Sequence, residues 1–335
     1  MGIPWRGLGF EEWSRRDGPL SGEILTPSRF SRKCSGVMIT YDPKDWGKLI
    51  FAFHRSDSFR VLLPGMIGVA IYTAILGWIE NDVFHATFRN ATHVHSLVGF
   101  VLSLLLLFRT NTAYDRWWEG RKLWGSFVNN SRNLALKLNA FLPESDVELR
   151  TLFRVLIQNF IYASKEHLRE GVKTHELVPA GPYDAAFYAK GGHVPNQVLK
   201  ALFVEINRLY SFGAISGDQL ILLNPELQSF AENLGACERI KKTPIPYAYS
   251  LFLKKVIFLY VFTMPIGFVL DYSYWAVPVV ALVFYVFASI EVIAEEIEDP
   301  FGTQANDLPT DGISETIRAN LNDILSVEGA DRPRG

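Results

Sequence analysis

The sequence predicts an all-α membrane protein, with four transmembrane helices in two hairpins and a cytosolic helical bundle. Three observations lead there. Four apolar runs interrupt a chain of otherwise mixed polarity. The basic residues flanking them fall consistently on one side. The long stretch between the second and third runs carries helical spacing and no two-residue alternation.

The first run, residues 61–79 (VLLPGMIGVAIYTAILGWI), has no charged residue. At about 1.5 Å per residue it is long enough for a hydrocarbon core about 30 Å thick. Trp78 sits near its end, where interfacial aromatics gather. The second run, 94–108, is also uncharged and stops abruptly at Arg109. It covers only about 22 Å, so it suits a buried helix or one that lines something other than lipid. The third run is 256–270 and the fourth is 274–290, with Asp271 in the turn between them. The predicted pairs are therefore 61–79 with 94–108, and 256–270 with 274–290.

Lys44, Lys48, Arg55 and Arg60 precede the first run, and only Arg89 lies in the loop after it. Arg109, Arg116, Arg121 and Lys122 follow the second run; Arg239, Lys241, Lys242, Lys254 and Lys255 precede the third. The positive-inside rule then places both termini and the middle of the chain in the cytosol of a cell membrane. The expected divisions are an N-terminal segment 1–40, a first membrane hairpin 41–118, a cytosolic helical region 119–250, a second hairpin 251–292 and a C-terminal segment 293–335. Within the helical region, Phe153, Leu156, Ile157, Phe160, Ile161 and Leu168 mark one amphipathic helix. Residues 171–196 read as a loop, and 197–212 and 216–235 as two further helices.

Composition excludes several functions. Apolar residues make up 49% of 335, net charge is −2 and mean hydropathy is +0.11, so no basic footprint for nucleic acid exists. Cys34 and Cys237 have no metal-ligand spacing and make no disulfide framework. The phosphate-loop, GxSxG, HExxH and CxxC patterns are missing from the sequence, and nothing points to an enzyme or a cofactor. His93 and His95, two apart, point to different helix faces. Glu295, Glu296, Glu298 and Asp299 cluster after the fourth run, either as a solvated helix end or as an ion-attracting or gating site.

Three stretches carry a resemblance. They are the run Phe108-Arg-Thr-Asn-Thr-Ala-Tyr-Asp-Arg-Trp-Trp-Glu-Gly-Arg-Lys-Leu-Trp-Gly within Gly99–Gly125, the segment Cys237-Glu-Arg-Ile-Lys-Lys-Thr-Pro-Ile-Pro-Tyr-Ala-Tyr, and Glu295-Glu-Ile-Glu-Asp-Pro-Phe-Gly-Thr-Gln-Ala-Asn-Asp-Leu-Pro. Together, over roughly residues 38–325, they resemble the bestrophin family of ion channels, in particular its shorter bacterial-type members. The resemblance implies a homopentamer around one central pore that passively conducts small inorganic ions, with chloride the expected one. It also implies an apolar neck at Phe100, Leu104 and Phe108 and a cytosolic constriction at Ile206.

The i, i+4, i+8 spacing puts the three neck residues on one helix face, although Leu97, Val101 and Leu105 form an equally apolar stripe. Ser96, Gly99 and Ser103, on an adjacent face, allow close helix approach. Arg109 and Arg116 lie one to two turns past the neck, to bias it toward anions or to make anchoring salt bridges. Calcium-activated members carry an aspartate run after Pro-Phe-Gly. Here Thr303-Gln304-Ala305-Asn306-Asp307 has one carboxylate, so Asp299 and Asp307 make a weak metal site and calcium activation is not expected. A cation-permeable channel, a secondary transporter and a membrane-anchored scaffold are the rival expectations.

Overall fold

The computed structural model describes residues 57–80, 91–189 and 191–326. Segment 1–40, the basic residues Lys44, Lys48, Arg55 and Arg89, and residues 327–335 lie outside the described residues. No strand occurs among the described residues, in line with the all-helical expectation.

Helix α1 spans Asp57–Trp78 and α2 spans Ala91–Phe141. The second apolar run does not end at Arg109 as a helix. It continues as one rod of 51 residues, about 76 Å long, through the expected boundary at 118. Pro143 follows its end, where a helix cannot continue. Helix α3, Val147–His167, starts at Asp146, whose side chain accepts from the Leu149 N–H at 3.1 Å. Helices α4 (Val194–Ser211) and α5 (Gly217–Lys242) are joined through Gly213, whose φ of +72° is a left-handed turn position. Ser216 and Gln219 close a reciprocal capping box at the α5 start.

The third run is broken. Helix α6 spans Tyr247–Thr263, and α7 restarts at Pro265 and runs to Tyr272, because proline has no N–H to continue the ladder. Ser273, at φ +51°, reverses the chain into α8, Ala276–Glu298. Helix α9, Thr310–Leu325, closes the described chain.

The apolar helices pack antiparallel. Lys254 of α6 meets Glu295 of α8 at 2.9 Å, and the Tyr260 ring lies edge-on to Phe287 with centroids 5.6 Å apart. Along α2, Tyr249 Oη donates to the Leu105 carbonyl at 3.2 Å, while His95 lies 3.2 Å from the Thr263 hydroxyl. One expectation needs correction. The first two runs are not a packed pair: α8 packs against both α1 and α2 and so separates them. Tyr72 of α1 stacks instead on Phe262 of α6, at 4.8 Å.

Two cores sit on the same α2 rod. Leu102 and Leu106 pack with Leu253, Ile257, Tyr260 and Val280 in the apolar layer. Further along, Trp124 and Phe127 pack with Phe153, Phe160 and Phe230 in the polar bundle, where Phe160 and Phe230 stack at 4.9 Å. Each such ring contributes roughly 1.5–3 kcal/mol on burial. The apolar layer also turns large side chains outward: Ile67, Ile71 and Ile75 of α1 and Phe258 and Leu259 of α6 are exposed. A patch of this extent needs lipid or protein to cover it.

Gly99 sets the closest approach. A Cβ there would lie 2.6 Å from the Tyr260 hydroxyl, so the small residue serves a neighbouring helix of the same subunit. Gly99→Ala is expected to destabilise detergent-solubilised protein by about 1–3 kcal/mol through overpacking. Tyr260→Phe in that background should restore most of the melting temperature. An unchanged melt for Gly99→Ala would contradict this packing.

Candidate ion pathway and its supporting junction

On the apolar half of α2, the residues facing inward are Gly99, Leu102, Leu106, Arg109 and Ala113, spaced by threes and fours. At about 100° per residue, Phe100, Leu104 and Phe108 centre about 180° from that stripe. They are 63%, 39% and 61% exposed. Leu97 and Val101 are exposed too, but Leu105 turns into the subunit and packs against its core. Of the two stripes open in the sequence, Phe100–Leu104–Phe108 is therefore the one exposed at all three positions.

Ile206 is a correction. Its side chain is 1% exposed and belongs to the core of the polar bundle with Val198, Leu202 and Leu209. A residue sealed there cannot narrow a passage. The outward face of α4 carries Phe203, Val204 and Tyr210 instead.

Arg109 takes the salt-bridging course of the two left open in the sequence. It is 1% exposed, and its Nη2 lies 2.6 Å from Glu298 Oε2, with Glu291 3.7 Å from Nε. Its charge is spent inside the subunit, on the salt-bridging alternative. Arg116 is likewise committed. Its Nε donates to the Glu298 carbonyl at 3.1 Å, and its two terminal nitrogens donate to the Ile240 and Thr243 carbonyls at 2.5 Å. These carbonyls lie at the ends of α8 and α5, where helices leave acceptors unpaired and favour a cation. The planar guanidinium spreads its donors over three nitrogens and so reaches three separated oxygens at once.

The acidic cluster is largely partnered. Glu298 Oε1 also accepts from the Ile245 N–H at 2.6 Å. Glu295 binds Lys254, and Glu296 accepts from the Asn306 amide at 2.7 Å. Asp299 ends α8 and is exposed. The loop after it folds back on α2. Trp117 Nε1 donates to the Asn306 carbonyl at 3.0 Å, and Phe301 and Leu308 press on Gly120, where an added Cβ would lie 3.2 Å from both. Asp307 is buried, with Oδ2 accepting from the Gln304 N–H at 2.7 Å. Burial, reinforced by Asp299 and Glu296, pushes its carboxyl up to about 6. His93 is exposed, and His95 sits among Thr263, Tyr260 and Phe268, so the two do not converge.

The three sequence stretches singled out above therefore meet at one place. Arg109, Arg116, Trp117 and Gly120 come from the first, Ile240, Thr243 and Ile245 from the second, and Glu298, Phe301 and Asn306 from the third. Sequence reasoning missed this junction because its partners lie between about fifty and two hundred residues apart.

An apolar helical layer riveted to a polar bundle, with one long shared helix, defines a helical membrane protein in class. A model of the bacterial/fungal bestrophin proteins matches residues 38–323, and the chain belongs to that family. It is 40% identical over 233 residues to a voltage-dependent anion channel-forming protein of a Nostoc strain, covering 68% of this chain and 76% of that one. A protein of the same description from Escherichia coli K12 is 31% identical over 289 residues, covering 85% and 93%. The crystal structure of a bacterial bestrophin homologue from Klebsiella pneumoniae matches with a TM-score of 0.70 and 31% identity, over 80% of this chain and 97% of that chain.

Arg109→Gln removes the cation facing the buried Glu291 and the half-buried Glu298 and is expected to cost about 3–5 kcal/mol. Arg116→Lys keeps the charge and loses the fork, for a smaller loss of about 1–3 kcal/mol. Melts of purified protein in detergent measure both. Variants that melt with the unaltered protein would mean that neither arginine holds the junction.

Proposed function

We propose that the chain forms a homopentameric membrane channel that passively conducts anions, chloride among them, and is not an enzyme. The observation that carries this reading is the exposed Phe100–Leu104–Phe108 stripe, opposite the subunit core on α2. In the proposed assembly five such stripes converge on an axis and form an apolar neck. A narrow apolar tube blocks ions by dewetting and conducts when it widens. The relatives described as anion channel-forming proteins support the choice of ion. The packing sense of the four apolar runs supports a layout with both ends of the described chain on one side of the bilayer, and the charge flanks favour the cytosol.

Fixed charge in the neck cannot set ion preference, since the stripe has none. Arg109, sealed against Glu298 and Glu291, is not part of the selectivity in this reading. The acidic residues Glu295, Glu296 and Glu298 are engaged within the subunit, which weakens the case for a cation channel. The helix break at Met264–Pro265 is the feature that favours a transporter, whose substrate sites use broken helices.

A bilayer recording of purified protein under a chloride gradient tests the reading. A diffusive current reversing toward the chloride potential is expected, with larger flux when Phe100, Leu104 or Phe108 becomes Ala. A cation-side reversal, a saturable exchange flux, or three neck variants with unchanged flux would overturn it.

The reading includes no calcium trigger. Calcium takes six to eight oxygens. Asp299 and Asp307 bring two carboxylates, one oxygen of which already accepts from Gln304. Micromolar calcium is expected to leave the current unchanged, and a steep calcium-dependent current would overturn that part.

A further inference from the structure

The geometry points to a transition-metal site of the zinc type, which we infer from the convergence of His167, His193 and Glu238 where three helices of the polar bundle meet. His167 is the last residue of α3, His193 precedes the first residue of α4, and Glu238 lies in the last turns of α5. Their ligand atoms all lie within 4.8 Å of one another. His193 Nε2 is 2.5 Å and His167 Nε2 3.0 Å from the same oxygen, Glu238 Oε1. The two imidazole centroids are 4.3 Å apart.

Two imidazoles and one carboxylate suit zinc, copper or nickel, not the hard cations calcium and magnesium. Ligand atoms of a tetrahedral zinc at about 2.0–2.1 Å stand about 3.3 Å from one another. The two histidine–Glu238 separations, 2.5 and 3.0 Å, need to open by less than 1 Å. All three groups end or flank helices, and their side chains are 20–28% exposed, so a fourth position faces solvent. That count, three protein ligands and an open place, is the pattern of a non-structural zinc site.

The remaining polar contacts fit. Lys242 Nζ lies 3.2 Å from the other oxygen, Glu238 Oε2, and being 68% exposed it can hold that oxygen from outside or swing away. His193 Nδ1 accepts from the Asn196 N–H at 3.2 Å, so the proton that a metal must displace sits on Nε2. Once that proton moves to Nδ1, α4 gives up this cap. Metal occupancy is thereby coupled to the first turn of α4 while it ties α3, α4 and α5 together.

The test uses the full chain purified in detergent, and it is independent of whether the protein conducts. Calorimetric titration with Zn²⁺ alone is expected to show one ion per subunit. Co²⁺ should give the strong visible bands of tetrahedral coordination, bleached by added Zn²⁺. His167→Gln, His193→Gln and Glu238→Gln should each bind at least about tenfold more weakly. Absence of saturable zinc binding, or variants that bind as tightly as the unaltered chain, would overturn the proposal. Should a variant fail to fold, the cobalt spectrum of the unaltered protein decides alone, since weak octahedral bands would also overturn it.

Discussion

The architecture depends on one guanidinium. Arg116 projects from the middle of α2 and satisfies the terminal carbonyls of α5 and α8 together. Those two helices belong to different halves of the molecule, one ending the polar bundle and the other ending the apolar layer. Without this donor the part-buried Ile240 and Glu298 carbonyls would lose their partner, and a buried acceptor left unpaired costs about 1–3 kcal/mol. Glu298 doubles the joint, since its carboxylate takes Arg109 and the Ile245 N–H while its carbonyl takes Arg116. Charge that the sequence sets beside the apolar run is, in this subunit, charge that holds helices.

Much of the layer was legible because apolarity without charge has few soluble explanations. The runs at 61–79, 94–108, 256–270 and 274–290 are helical almost throughout, the third being interrupted at Met264. Their ends were harder. Arg109 read as the limit of a helix because hydropathy stops there, yet the backbone has no reason to stop: Ala113, Leu123, Ala135 and Leu138 continue as good helix formers to Phe141. The first hairpin failed as a packed pair because adjacency in sequence says nothing about an intervening element that arrives two hundred residues later.

The candidate site divides the same way. The neck stripe was half legible, since spacing offered two equivalent faces and only the burial of Leu105 separates them. Ile206 was misplaced although a usable signal existed: Val198, Leu202, Ile206 and Leu209 form a stripe at helical spacing, which belongs to a core. The roles of Arg109 and Arg116 were not legible, because a basic residue after an apolar run looks the same whether it faces water or a carboxylate far along the chain. Nor did the sequence bring His167, His193 and Glu238 together, for they lie on three separate elements.

The uninterrupted α2 has a mechanical consequence. Fifty-one residues of ladder without a proline or a turn make a shaft, stiff to bending and to twist, whose upper part carries the exposed phenylalanines and whose lower part is clamped in an aromatic core. Between Trp124 and Phe108 the shaft is pinned at Arg109, Arg116, Trp117 and Gly120, so a twist of the lower clamp is shared between the helix and those anchors before it reaches the rings above.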